Sequence, residues 1–377
     1  MLRPLILLLT VALLSAPLHA AQERHLNQIM SDIAKLMVDN YPLIVSKSRL
    51  SPAEKKTLDN VTQEMITLFE QAAPLINKKS NTYQISYDLI LSHLKKTRMA
   101  FKQNNIIQAR KRLRSMGEIC SSCHTQDKQL RSLFPGKKRN AFTNDYEYAE
   151  FNYVTRNYDA AIRHYDKYLA SDHKKTELEI IKPLQRLLTF HLQINEDVNA
   201  AHVALSKYLN LAQHSKQTKT QIQGWLAGLE KLATDKNVSQ PLSFSKLQKA
   251  VTQYIGDTDQ MQADLFSTPE DEVSRVWLRG QLYHYLNSNP PAEQVPIILY
   301  WLSICDRTLG YSYNYSFADL YLKDCVNRFP KHTYAGRCYK EYKNYITSSY
   351  SGSAGIFIPP EVEDELYEMK MRLKKGE

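Results

Sequence analysis

Cys120-Ser121-Ser122-Cys123-His124 is the run in this 377-residue chain whose residue types and spacing invite covalent chemistry. Two thiols three positions apart on a helix stand on neighbouring turns of one face, where each can add to a vinyl group of haem. The imidazole beside them can ligate the iron. The expectation is one covalent haem c held by Cys120 and Cys123, with His124 on the metal. A zinc half-site would need a second ligand pair, and a redox dithiol a surrounding βαβ pattern; the sequence offers neither.

Four helices must position this motif. The first runs from about His25 to Val45, with Leu26, Ile29, Met30, Ile33 and Met37 on one face. The second opens at Ser51-Pro52-Ala53-Glu54, where serine caps, proline suits the first turn and Glu54 closes a capping box. It continues through Leu58, Val61, Met65, Leu68 and Ala72 and is expected to stop near Pro74. A third helix, from about Thr82 to Gln103, turns Tyr83, Tyr87, Ile90, Leu94 and Phe101 inward. The fourth begins near Asn105, and its Ile106, Ala109, Leu113, Met116, Cys120 and Cys123 follow alternating steps of three and four. That register aims both cysteines at a core, which a surface Cys-x-x-Cys would have no reason to keep.

Four helices ending in Cys120-Ser-Ser-Cys123-His124, followed by Lys128-Gln129-Leu130-Arg131, resemble the class II c-type cytochromes, the cytochrome c′ and c-556 group, over roughly Ala21 to Phe134. The resemblance implies an antiparallel up-down-up-down bundle with the haem edge near one end. By that pattern Cys120 and Cys123 are the thioether residues and His124 the proximal ligand. Arg131 falls where the group often carries a basic residue and is a candidate propionate contact, although Leu130 replaces the usual aromatic. Met30 occupies the helix-1 position that in the group holds either a ligating methionine or an apolar residue over an open iron. Three arrangements follow: ligation by Met30, an open site with Met30 packed over it, or a histidine ligand such as His25 or His93. The arginine frequent early in helix 1 of the group aligns with Leu26 here, which leaves Arg112, Arg114 or Arg131 for the propionates.

Beyond Phe134-Pro135-Gly136-Lys137-Lys138-Arg139 the pattern changes. Ala149, Ala161 and Tyr165 match small and aromatic positions of a tetratricopeptide repeat, which this stretch resembles. A weaker copy has Val198-Asn199-Ala200-Ala201, Leu205 and Leu209; further helix pairs appear at Trp225 to Ala233, Phe244 to Ile255 and Val276 to Leu309. Hairpins of this kind bury their apolar faces by stacking on neighbours, either as a solenoid with a concave binding side or against the haem segment. Phe317 to Phe329 and Thr333 to Ile346 form a last hairpin with Cys325 and Cys338 facing across it. A disulfide between them leaves Cys305 over; a reduced, buried trio is the alternative. Tyr311, Tyr313, Tyr315, Phe317 and Tyr321 suit packing better than a partner groove, and Tyr350 to Gly355 suits an ordinary turn.

The expected fold is all-α: a signal peptide over 1–20, a haem-binding four-helix bundle over 21–135, a tetratricopeptide-like helical repeat region over 140–347, and a C-terminal loop and helix over 348–377. Scarce glycine (11 residues) and few alternating Val-rich runs support helix over strand. The leader has Arg3, an apolar run from Leu5 to Leu14, and small residues up to Ala20, which implies export to the periplasm. No later segment is apolar enough to span a membrane. A formal charge of +10 steers acidic partners, or is simply a solvated surface. No phosphate loop, Ser-His-Asp set or carboxylate pair suggests an enzyme, and no stacking or groove-reading module suggests nucleic acid. The function expected is single-electron transfer by a periplasmic monohaem c-type cytochrome that docks to a redox protein, favourably an acidic one, through its repeats. The rivals are a haem module that binds NO or CO at an open iron, and an interaction scaffold whose haem is structural.

Overall fold

A computed structural model of the chain describes residues 25–45, 49–76, 81–124, 136–211, 215–235, 238, 241–256, 267–309, 317–353 and 355–376. It is all-α, with fifteen helices among the described residues and one two-stranded hairpin. The chain divides into two compact units, Met1–Tyr168 and Leu169–Glu377.

In the first unit, α1 (25–45) buries Ile29, Ile33 and Met37, and beyond the expected face also Val38, Tyr41 and Ile44. Helix α2 (Pro52–Ile76) starts in the expected capping box: Ser51 N donates to Glu54 Oε2 at 2.8 Å and Glu54 N to Ser51 Oγ at 3.3 Å. It runs past the expected stop at Pro74 to Ile76. Helix α3 (Asn81–Lys102) buries Ile90, Leu94 and Phe101. The chain then reverses through Asn104, whose φ of 54° is a left-handed conformation that asparagine tolerates. Asn105 caps α4 (Ile106–His124), its side chain accepting from Gln108 N at 3.2 Å. Ala109, Leu113 and Met116 of α4 are fully buried, as the step pattern requires, and Ile119 joins them.

α2 packs on α3 and α3 on α4. The last turn of α1 is held by α4: Arg110 donates to Ile44 O from Nε and Nη2 (3.2 and 3.0 Å), and Arg114 to Ile44 O and Val45 O (both 3.1 Å). Cations there satisfy carbonyls that a helix end leaves open and complement its dipole.

After a short 3₁₀ turn (Arg139–Ala141) come α5 (Asp145–Val154) and α6 (Tyr158–Ala170). Asn144 caps α5 by accepting from Glu147 N, and Asp145 is gripped by Arg139 (2.9 Å), His164 (2.8 Å) and Lys167 (3.4 Å). Burial alone would raise the Asp145 pKa, but hydrogen bonds from Arg139 and His164, with the charges of Arg139 and Lys167, hold it at about 2. Ala149 and Ala161 are fully buried small residues of this hairpin. Phe142, Phe151 and Val154 form one cluster with Val38 and Tyr41 of α1. By contact, α5 therefore lies in the first unit, although the sequence pattern groups it with the repeats.

The second unit contains α7 (Glu177–Thr189), which runs into a π turn at Phe190–Ile194, then α8 (Val198–Leu209), α9 (Lys216–Ala233), α10 (Phe244–Tyr254), α11 (Pro269–Asn287), α12 (Val295–Leu309), α13 (Ala318–Arg328) and α14 (Thr333–Ser349). From α8 on, α9 packs on α8, and each of α11 to α14 packs on the helix before it; α11 also lies on α9 and buries most residues from Val273 to Leu286. Cys325 and Cys338 form the expected disulfide between α13 and α14, and Cys305 stays a buried free thiol, pushed by burial up to about 12. Phe317 and Tyr321 are buried packing residues, while Tyr311, Tyr313 and Tyr315 lie outside the described residues. Past Tyr350 a tight hairpin pairs β1 (Ser351–Gly352) with β2 (Gly355–Ile356), and α15 (Pro360–Gly376) buries Leu366 and Met369. Among the described residues no helix is long and apolar enough to cross a membrane.

Candidate functional site at the end of helix α4

The backbone of α4 is helical through His124, so positions 117, 120, 121 and 124 recur at i, i+3, i+4 and i+7 and share one face. The side chains of Cys120, Cys123 and His124, and all of Arg131, lie outside the described residues. What is described is the surface beside that face. Met30, Ala34 and Met37 of α1, Gly117 of α4, and Phe151 and Val154 of α5 are among the residues lining a cavity of about 40 Å³. Its walls are overwhelmingly apolar, and it is partly open to solvent. Thr155, the polar residue on its rim, already donates its hydroxyl to Phe151 O at 2.7 Å.

The α1–α4 register follows from two observations. Arg110 and Arg114 reach Ile44 and Val45, and Met30 shares a cavity with Gly117. The helices run antiparallel, and position 30 lies alongside the stretch that carries 117 to 124. Met30 is half-buried there.

Gly117 was not singled out by pattern reasoning. A Cβ at this position would lie 2.9 Å from Val154 Cβ, closer than carbon atoms approach, so glycine is what lets α5 press onto α4. The sequence did carry a signal. This is the first glycine of the chain, inside a helix, where glycine costs about 1 kcal/mol against alanine and so needs a reason.

The other sequence candidates are placed elsewhere. Arg114 caps α1, ten residues and about 15 Å of helix rise before His124. His25 is exposed at the first described residue of α1. His93 is 3% exposed; its Nε2 donates to Arg112 O at 2.7 Å, with Ser115 Oγ at 3.1 Å. Its ring nitrogen is thus engaged eight residues, about 12 Å of rise, before Cys120.

Burial drives the His93 pKa down to about 4; the Arg112 carbonyl pulls it up, and the charges of Arg112 and Lys96 push it further down. The unfolded chain, with histidine near 6.5, takes up a proton first. Stability from the neutral ring is therefore complete above about pH 6.5 and drains as the pH falls toward 4, by about 3 kcal/mol. His93→Gln, which keeps a donor and cannot titrate, is expected to flatten the fall in Tm between pH 7 and 4. An unchanged slope in thermal melts would reject this assignment.

The donor set and the wall are chemically suited to a haem: two thiols and an imidazole on one helix end, a thioether across from them, and an apolar lining. A porphyrin is far larger than the described cavity and would have to lie beyond it, toward positions 120 and 124. Compared with known proteins, the chain matches no family model, no curated protein and no solved structure.

Proposed function

We propose that this chain is a periplasmic monohaem c-type cytochrome of the four-helix class, acting in single-electron transfer. The observation that carries the reading is the meeting of Met30 and Gly117 in one apolar cavity, on the face of α4 that also bears positions 120 and 124. Bound haem would supply an iron centre able to take up and release one electron. Cys120 and Cys123 would hold it by thioether links, and His124 and Met30 would supply nitrogen and sulfur donors to its iron. A soft sulfur ligand and an apolar wall would both favour the reduced state and raise the potential. Arg131 is proposed to face a propionate.

The hairpins that follow are proposed to form a tetratricopeptide-like surface that docks a redox protein, and the formal charge of +10 favours an acidic one. The test is the visible spectrum of haem-loaded protein, oxidised and reduced, with and without carbon monoxide. A low-spin wild type with a methionine-to-iron charge-transfer band, inert to carbon monoxide until Met30→Ala is made, is expected. A high-spin wild type that binds the gas at once would replace electron transfer with the gas-binding reading, which the empty space beside Met30 favours.

A further inference from the structure

We propose that α5, a helix outside the four that carry the haem motif, is the outer wall of the Met30 pocket and keeps water and small ligands from that side of the haem. The inference rests on the haem reading above and adds to it an element that a four-helix bundle does not contain. Val154 stands over Gly117, where an added Cβ would meet it at 2.9 Å, so the two helices touch at van der Waals limit three residues before Cys120. One turn earlier, Phe151 is 1% exposed and packs its ring 5.4 Å from that of Tyr41 on α1. The same two α5 side chains line the cavity with Met30.

The wall is braced at its far end. Asn144 caps α5, and Asp145 ties its first turn to Arg139 and to His164 of α6. A helix held at both ends beside an apolar cavity has little freedom to swing aside, and the buried Phe151 and Val154 close the α5 side of that cavity. Both are positioning residues: they touch Met30's surroundings and act on the iron through it.

The experiment uses haem-loaded full chain, wild type, Phe151→Ala and the milder Val154→Ala, with folding checked by far-UV circular dichroism. Measured in the Met30→Ala background, where the iron is open to the gas, carbon monoxide association to the reduced protein is expected to rise about tenfold when either substitution is added, the effect of removing ~1.4 kcal/mol from a barrier. Rates unchanged in both folded variants would overturn the wall. A readout independent of haem is the methyl NMR of isotope-labelled methionine: xenon, which enters small apolar cavities, is expected to shift Met30 and Met37, and Val154→Ala to enlarge the shift. A wild type without covalent haem would overturn the haem reading alone, and the methyl shifts would still decide the wall. Xenon without effect on either methionine would overturn it.

Discussion

The Cys120→Ser/Cys123→Ser double variant, produced from the full sequence in a host that matures c-type cytochromes, is expected to retain no haem after acid–acetone extraction, and the wild type is expected to retain one per chain. The expectation is large because thioether bonds do not extract: the change is from full to zero occupancy rather than a shift in affinity. Each single variant keeps one thioether and is expected to hold its haem with an altered absorption maximum. His124→Ala would separate attachment from ligation, since both thiols remain while the proposed imidazole ligand is lost. The measurements are haem per chain and intact mass. A wild type that carries no covalent haem would sink the cytochrome reading, and zinc content and thiol titration would then separate a metal half-site from a dithiol.

Much of the first unit could be read in advance because its helices are amphipathic and amply signalled. The Ser51–Glu54 box and the step pattern of α4 each state a local requirement; the structure forms the box and buries Ala109, Leu113 and Met116 of the pattern. The Cys325–Cys338 pairing was legible for a similar reason: Pro330 breaks the chain between two helices and turns one cysteine toward the other. The docking of α5 was not legible, because it depends on contacts more than a hundred residues apart. Its trace lies in α1, where Ala34, Val38, Tyr41 and Val45 form a second stripe beside the first. Two adjacent stripes make a buried arc wider than one bundle seam needs, a sign that another element covers the helix. Helix α7 was missed although Thr176 and Glu179 spell a capping box, because Pro183 inside it reads as a stop. Of the candidate site, the donors at Cys120, Cys123 and His124 were legible from their spacing, whereas the apolar wall beside them was not, since it is built from α1 and α5 together.

In the second unit, Asp306→Asn is expected to cost about 3–5 kcal/mol, the scale for stranding one partner of a buried ion pair. Arg279 and Asp306 are 4% and 2% exposed, and Arg279 Nε donates to Asp306 Oδ1 at 2.5 Å. The second carboxylate oxygen accepts from Phe317 N at 2.8 Å, so one side chain compensates a cation and fixes the start of α13. Burial works against the charge of Arg279, yet the Asp306 carboxylate outweighs it and holds the guanidinium more firmly protonated than usual. Neutralising Asp306 leaves that cation in the buried stretch of α11, with the Tyr283 ring 4.8 Å away and Gln193 at 3.5 Å to soften it. Arg275, one turn earlier on α11 and 7% exposed, adds like charge nearby, and its Nε and Nη1 find no hydrogen-bond partner. For a unit of this size the loss corresponds to a fall in Tm on the order of 10 °C. Glu270→Gln supplies the contrast: its pair with Lys231 is 44% and 65% exposed and is expected to be worth under ~1 kcal/mol. The Arg279→Met/Asp306→Leu double variant removes both charges together and is expected to recover most of the loss, as apolar replacements of buried pairs do. Equal effects from Asp306→Asn and Glu270→Gln in denaturant titrations would mean that α11 is open to water, and the buried core assigned to this unit would have to be redrawn.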